Sequence, residues 1–415
     1  MSPSQQWLPL TETIAPAEQA AAAEVLRAAA AARTAVYPLG GGTGVGFGLR
    51  PTRPGIGLAL GNLRRVVDYP ASDMTITVEA GLTWAELSNA LAAQRQRLPV
   101  DVPHAAAATI GGAVAANPSG PRRFACGTLR DYVLGLTAVD GQGNVFASGG
   151  RVVKNAAGLN VHRLLIGSQG TLGVITQVTL MVRPMPEASA IVACDVPDLD
   201  AAERLLAGLA QGQTLPAAVE LLAGLDWAEA PVFGRPAAGG VARLCVGFEG
   251  SAEEVPWMIG RLCDEWRPLG AGITAVAAGN EAQAAWQWLA AGEADVEVRV
   301  LPSRLIATWA ALRDLDMDGS IQAHAGNGVL RLRLAPRLPQ QFADLLRGGL
   351  RPAVARHGGR LSVLRCPADG PLSADDVWGP PGDGLRLARA IKDRFDPHGI
   401  LNPGRLPYGD AASDA

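Results

Sequence analysis

At 415 residues, 48% hydrophobic and 18% charged, the chain has the composition of a globular protein with room for two domains. A net charge of −3, with no basic run and no interleaving of aromatic and basic residues, argues against a nucleic-acid partner. The five cysteines (Cys126, Cys194, Cys245, Cys263, Cys366) are odd in number, widely spaced and never C-x-x-C, so they read as reduced thiols and not as ligands of zinc or an iron–sulfur cluster. No basic and apolar leader opens the sequence, and no apolar run is long enough to span a bilayer, which predicts a cytoplasmic location.

The Ala-rich residues 16–33, with Pro16 at the first turn, predict a helix, and Ala35-Val36-Tyr37 a strand. Six glycines then fall within residues 40–48. Glycine reaches positive φ and lets main-chain N–H groups approach an anion, so the stretch reads as a phosphate cradle; a flexible linker is the alternative, and Val45, Phe47 and Leu49 speak against it. The loop holds neither G-x-G-x-x-G nor Gly-Lys-Ser/Thr, and the prolines at 51 and 54 prevent a helix behind it. It therefore joins two strands, and phosphates would rest on backbone alone. A period-two strand follows at residues 75–80, then a helix capped by Thr83 with Glu86 completing a capping box.

Residues 98–120 turn to Pro, Ala and Gly around Thr109-Ile110-Gly111-Gly112. A Gly-Gly pair lets backbone lie flat on a planar ring, with Thr109, Asn117 and Ser119 as hydrogen-bonding groups; tight helix packing is the equal alternative. Strands are expected at 132–140 and 145–148 about an Asp140-Gly141 turn. A third loop of the same kind, Gly167-Ser168-Gln169-Gly170-Thr171-Leu172-Gly173, leads into an alternating strand ending near Arg183.

These motifs in order, together with Gly127-Thr128-Leu129-Arg130-Asp131 and the tail Phe395-Asp396-Pro397-His398-Gly399-Ile400-Leu401-Asn402-Pro403-Gly404-Arg405, resemble the FAD-binding domain of the vanillyl-alcohol-oxidase/p-cresol-methylhydroxylase (PCMH) type. More narrowly, Gly120-Pro121-Arg122-Arg123 and residues 152–158 resemble the smaller FAD-binding subunit of bacterial glycolate oxidase. The fold implied is α+β: an FAD domain of two α/β subdomains over residues 1–186, an α+β cap with an antiparallel sheet over 187–369, and a C-terminal segment, 370–415, returning to the FAD domain. By the family pattern Pro38, Leu39, Gly40, Gly41, Gly42, Thr43, Gly44 and Val45 hold the pyrophosphate. Asp101, Pro103, Thr109, Gly111, Gly112, Asn117, Ser119 and Gly120 follow the ribityl chain and ring, joined by Gly127 and Asp131. Gly170, Thr171, Gly173, Val174 and Ile175 meet the adenosine half, and Asn402 and Arg405 return to the flavin.

Some relatives bond the flavin to a histidine in a Gly-Gly-His loop. Thr43 stands there in this chain, so non-covalent FAD is expected, and His104, near a flavin-proximal segment, is not expected to replace that anchor. Related 2-hydroxy-acid dehydrogenases carry His-Ala-Gly-Asp-Gly-Asn-Leu-His. Here the run is His324-Ala325-Gly326-Asn327-Gly328-Val329-Leu330-Arg331, which leaves no metal site expected and His324 either a catalytic base or a turn residue. Gly158-Leu159-Asn160 and Gly167-Ser168-Gln169-Gly170 likewise lack carboxylates that the family often has. Lys154 reads as a surface salt-bridge residue or a cation near substrate or flavin.

The middle of the chain alternates strands with amphipathic helices and concentrates tryptophans (227, 257, 266, 286, 288, 309), read as core or interface with one or two at a pocket. The resemblance implies an FAD-dependent oxidoreductase acting on a 2-hydroxy acid, as one subunit beside a larger FAD subunit and an iron–sulfur subunit, attached to the inner membrane only through partners. An FAD-bearing electron-relay subunit without its own substrate chemistry, and a self-sufficient oxidase of another alcohol, are the alternatives.

Overall fold

The computed structural model describes residues 7–150, 159–228, 232–234, 240–315, 317–367 and 372–407. The motif over residues 152–158, with Lys154, lies outside them. The chain forms two compact units, the first made of residues 1–118, 128–185 and 372–415, the second of 119–127 and 186–371. The excursion of 119–127 into the second unit has no counterpart in boundaries drawn at 186 and 370.

In the first unit, β1 (Leu10–Ile14), β2 (Ala35–Leu39) and β3 (Gly55–Ala59) form a parallel sheet in the order β1-β3-β2. Parallel neighbours need a long crossover, and between β2 and β3 the glycine loop is that crossover. Helix α1 (Gln19–Ala32) packs its alanines and Leu26 beneath this sheet. A second, antiparallel sheet runs β4 (Val66–Asp68), β5 (Thr75–Glu79), β9 (Val174–Met181), β7 (Val133–Val139), β8 (Val145–Gly149), and a short pair joins β6 (Gln96–Arg97) to β10 (Arg183–Pro184). Helix α2 (Trp84–Ala92) begins at the Thr83–Glu86 capping box as the sequence predicts.

The segment read as a second glycine loop is instead largely helical: α3 (Ile110–Ala116) starts at Thr109, whose Oγ1 accepts from Gly112 N at 3.3 Å, and ends at Asn117 in the left-handed region. A Cβ on Gly111 would lie 2.6 Å from the Ala80 Cβ, so Gly111 is there for close packing of helix on strand.

The C-terminal tail completes the first unit. Val36 N donates to Ile400 O at 2.7 Å and Asn402 N to Val36 O at 2.9 Å, so the tail runs parallel along β2. A buried Asp396 carboxylate holds the turn, accepting from Ile400 N at 3.0 Å and Leu401 N at 2.7 Å, with Lys392 Nζ at 2.5 Å.

The second unit is one eight-stranded antiparallel sheet. Its strands are β11 (Ala188–Val196), β12 (Ala218–Ala223), β13 (Ala242–Gly250), β14 (Ile273–Ala278), β15 (Val296–Arg299), β16 (Gly319–His324), β17 (Val329–Leu334) and β18 (Arg360–Val363), in the order β14-β11-β13-β12-β16-β17-β15-β18. Helices α4 (Leu199–Gln211), α5 (Glu254–Trp266) and α7 (Leu305–Arg313) pack on it with fully buried Trp266 and Trp309. Helix α6 (Gly279–Ala290) presses Trp286 onto Gly247, in a cluster with Ile191, Ala193 and Cys245. Burial pushes the Cys194 thiol up to about 11 and Cys245 higher still, so both are inert at neutral pH. No helix among the described residues is long and apolar enough to cross a membrane.

Candidate active site

A cavity of about 210 Å³ opens in the first unit where the glycine loop, α3, the 169–175 loop and the tail converge. The glycines of the loop divide by role. A Cβ on Gly41 would sit 1.6 Å from Ala107 O and one on Gly40 2.2 Å from Thr109 Oγ1, so these two let the loop close against residues 107–109. Gly42, at φ 76°, and Gly44 and Gly46 have nothing within 4 Å. Among the described residues, the main-chain N–H groups of Gly41, Gly42, Thr43, Gly44 and Val45 donate to no protein acceptor. Backbone donors left open along a concave strip form an anion nest, and a dinucleotide's pyrophosphate is the chemistry they fit.

Residues 38–45 line this cavity, as do Pro103, Thr109, Gly111, Gly112, Gly170, Gly173, Ile175, Asn402 and Arg405. Arg405, 4% exposed, reaches the loop itself: its Nη2 donates to Val45 O at 2.5 Å and its Nη1 to Leu49 O at 3.4 Å. Asn402 donates to Gln169 O at 2.6 Å, which ties the tail to the third loop. Thr43 and His104 also line the cavity, both exposed. Gln169, Ala80 and Leu60 are lining residues that sequence reasoning passed over, since nothing marks an alanine or leucine as a cavity wall.

The remaining expected residues lie elsewhere. Asp131 closes a capping box, accepting from Thr128 N at 2.8 Å. Thr171 Oγ1 donates to Ser168 O at 2.7 Å, Val174 sits in the core with Leu401, and Asp101 is buried outside the lining. Asn117 caps α3, and its buried Oδ1 has no protein partner. Ser119, Gly120 and Gly127 belong to the second unit.

In the second unit, registers align the polar residues of four strands on one face: Glu220 opposite His324, Gln322 opposite Arg331, and Arg331 opposite Glu297. His324 is therefore the last residue of β16, and the turn begins after it at Ala325–Asn327. Its Nδ1 lies 2.7 and 2.9 Å from the two oxygens of Glu220, with both side chains buried, while its Nε2 is buried without a protein partner. Glu220 also accepts from Gln322 Nε2 at 2.8 Å.

The turn is tight for reasons its sequence displays. Gly328 has φ 68° and approaches Val300 O, and the Phe124 ring lies on Gly326. Further along the face, Arg299 binds Glu297 at 2.7 Å and Arg331 Nε stands 3.6 Å from it. Burial raises the Glu297 pKa, but the charges of Arg331 and Arg299 outweigh it and hold the carboxyl below its ordinary value. Asn327 Oδ1 and Arg331 Nε join His324 Nε2 as buried polar atoms without partners. Three on one face and its adjoining turn leave hydrogen-bonding capacity open to a ligand or to water. Glu220 was missed from the sequence; its one signal is a carboxylate inside the apolar run Ala-Val-Glu-Leu-Leu-Ala.

Comparison with known proteins matches residues 11–149 to an FAD binding domain and residues 380–406 to the C-terminal domain of FAD linked oxidases. A D-2-hydroxyglutarate dehydrogenase of Xanthomonas citri pv. viticola is 30% identical over 97% of this chain and 90% of its own length. The glycolate oxidase subunit GlcE of Escherichia coli is 41% identical over 127 residues, 30% of this chain and 36% of that one. Among solved structures, an alkyldihydroxyacetonephosphate synthase superposes with a TM-score of 0.71 at 18% identity, over 95% of this chain and 77% of that one, which shows the shared fold. An anion nest on a PCMH-type fold and a relative matched along nearly the whole chain lead to one conclusion: the chain belongs to the FAD-linked oxidoreductases, the family of the glycolate oxidase subunits and 2-hydroxy-acid dehydrogenases, and its cofactor is FAD.

Proposed function

We propose that the protein oxidises a 2-hydroxy acid to the 2-oxo acid, with FAD held in the first unit's cavity and His324 as the base. The observation that carries this reading is the buried His324–Glu220 pair with His324 Nε2 left open. A carboxylate on Nδ1 fixes the ring's orientation and steadies the charge that forms when Nε2 takes a proton. Residues 41–45 would hold the pyrophosphate through main-chain N–H groups, with Arg405 bracing the loop by its carbonyls. Bound FAD supplies the acceptor for the two electrons leaving the substrate's C–H bond. The protein's own part is to orient the acid, accept the hydroxyl proton at His324 Nε2, and hold that charge against Glu220.

The names of the relatives support a small 2-hydroxy acid such as glycolate, lactate or 2-hydroxyglutarate as substrate. The likeness to GlcE supports a subunit role beside a larger FAD subunit and an iron–sulfur subunit, with any membrane attachment made through them. The exchange of the family motif's Asp and second His for Asn327 and Arg331 favours the electron-relay alternative. Anaerobic addition of each acid to the purified flavoprotein separates the readings. Loss of the flavin's visible absorbance supports the dehydrogenase; absorbance that falls only after co-expression with partner subunits assigns the substrate chemistry to the assembly. Thr43 and the exposed His104 predict that denaturation releases free FAD, and colour kept on the precipitated chain would show a covalent bond.

A further inference from the structure

We propose that a second cavity, in the polar face of the eight-stranded sheet, binds the carboxylate of a small organic acid, with Arg331 as its principal ligand. The cavity measures about 190 Å³, room for a molecule of a few heavy atoms; Arg331, Arg333, Gln322, Ser320, Trp227 and Trp288 line it, with two carboxylates, Asp226 and Glu293, that stand 3.7 Å from Arg333 and 3.1 Å from Arg365. Register places the four polar residues as a two-by-two patch, Gln322 opposite Arg331 and Ser320 opposite Arg333.

The Arg331 guanidinium is the observation that asks for a ligand. Its side chain is 11% exposed, its Nε is buried without a hydrogen bond, and its one recorded ion pair is the 3.6 Å approach to Glu297. Glu297 meanwhile spends its other oxygen on Arg299 at 2.7 Å, so two arginines share one carboxylate. A planar fork of donors, mostly desolvated and short of acceptors, suits a carboxylate in two-point contact. Beside it Gln322 Nε2 is spent on Glu220 and Leu289 O, at 2.8 and 2.9 Å, which fixes the amide and leaves its Oε1 next to Gly292. A side chain at 292 would press on both Oε1 and the Trp227 ring, so glycine keeps this wall open. Trp227 and Trp288, edge to face at 5.0 Å, offer apolar surface to the carbon skeleton.

Glu220 links this cavity to His324, since it takes hydrogen bonds from both Gln322 and His324. Naming the acid as the 2-hydroxy-acid substrate rests on the functional reading above; the carboxylate site does not.

Oxalate, which has no C–H bond to oxidise, is the probe. Calorimetric titration of the FAD-loaded protein with oxalate is expected to show one saturable site and a change in tryptophan emission. Arg331→Gln should weaken binding about 10- to 100-fold, the range for a lost hydrogen bond to a charged group. Arg331→Gln with Glu297→Gln keeps the charge balance and should show the same loss of oxalate binding with unchanged FAD content. Oxalate binding that is absent, or equal in wild type and both variants, overturns the site. Oxalate bound as expected while no hydroxy acid reduces the flavin keeps the site and removes the functional reading. Hydroxy acids that reduce the flavin while oxalate neither binds nor inhibits remove the site alone.

Discussion

Glycine is the residue whose purpose was easiest to read ahead of the structure, and also the one whose purposes differ most from neighbour to neighbour. Gly41 is sterically committed to Ala107, whereas Gly44 faces open space. Gly41→Ala should therefore destabilise the fold by about 1–3 kcal/mol through overpacking, seen as a lower melting temperature even without FAD. Gly44→Ala should leave the folding stability within about 0.5 kcal/mol of wild type and weaken FAD retention instead. Equal loss of stability in both would contradict the division. His324 was visible because its motif keeps the opening His-Ala-Gly, but Glu220 was not: its partner lies 104 positions away, and no local pattern joins an acid in one strand to the end of another. His324→Gln should slow flavin reduction by a 2-hydroxy acid about 10²- to 10⁴-fold, the usual contribution of a general base, and a full rate in the variant would remove His324 from that role.

Legibility followed the alternation of residue types and not exposure: every residue of β5 is buried, yet its Thr-Ile-Thr-Val-Glu alternation is plain. The period-two strand at residues 75–80 and the Thr83 capping box stand where patterning put them, as β5 and α2. β12 and β16 carry the pair at the candidate site: β12 is an apolar run broken only by Glu220, whereas β16 alternates Ser-Ile-Gln-Ala-His over only five residues. The second glycine pair was ambiguous for another reason: Gly111 and Gly112 look alike in sequence and both line the cavity, but only Gly111 also packs on Ala80.

At this scale Asp396 and Lys392 hold the tail against β2. Asp396→Ala removes a fully buried carboxylate and leaves a nearly buried ammonium without its counter-charge, on carbonyl acceptors only, a change that typically costs up to about 3–5 kcal/mol. Lower thermal stability together with loss of FAD is expected, because Asn402 and Arg405 leave the cavity with the tail. Glu297 gives a pH signature for the join between β15 and β17. Its pKa is lower folded than unfolded, so its contribution is complete at neutral pH and is lost as the pH falls from about 4.5 toward the lower folded value. Glu297→Gln should be less stable than wild type at pH 7 and show a flatter acid limb in denaturant titrations across that window.

For the molecule as a whole, the candidate cofactor cavity and the candidate base belong to separate compact units, and the anion nest lies in the first. FAD at 100 times its dissociation constant adds about 2.7 kcal/mol to the state that binds it. Hydrogen exchange should therefore show protection gained on FAD loading in β2, the glycine loop, α3 and the tail; protection spread evenly over the eight-stranded sheet would place the cofactor wrongly. Sequence patterning foresaw that a cap of alternating strands and helices would exist, but not that residues 119–127 fold with it. A nine-residue excursion has no composition of its own, and Arg122 is tied to Glu249 at 2.9 Å across 127 positions.

In the proposed reaction a hydride and a proton leave a 2-hydroxy acid, with His324 taking the proton. Anaerobic stopped-flow mixing of the FAD-loaded protein, wild type and His324→Gln, with glycolate, D-lactate and D-2-hydroxyglutarate tests it directly. The account predicts rapid loss of the oxidised-flavin absorbance with at least one acid in the wild type and a loss slowed at least about 100-fold in the variant. Flavin that stays oxidised with every acid, or is reduced equally fast in both proteins, would contradict it.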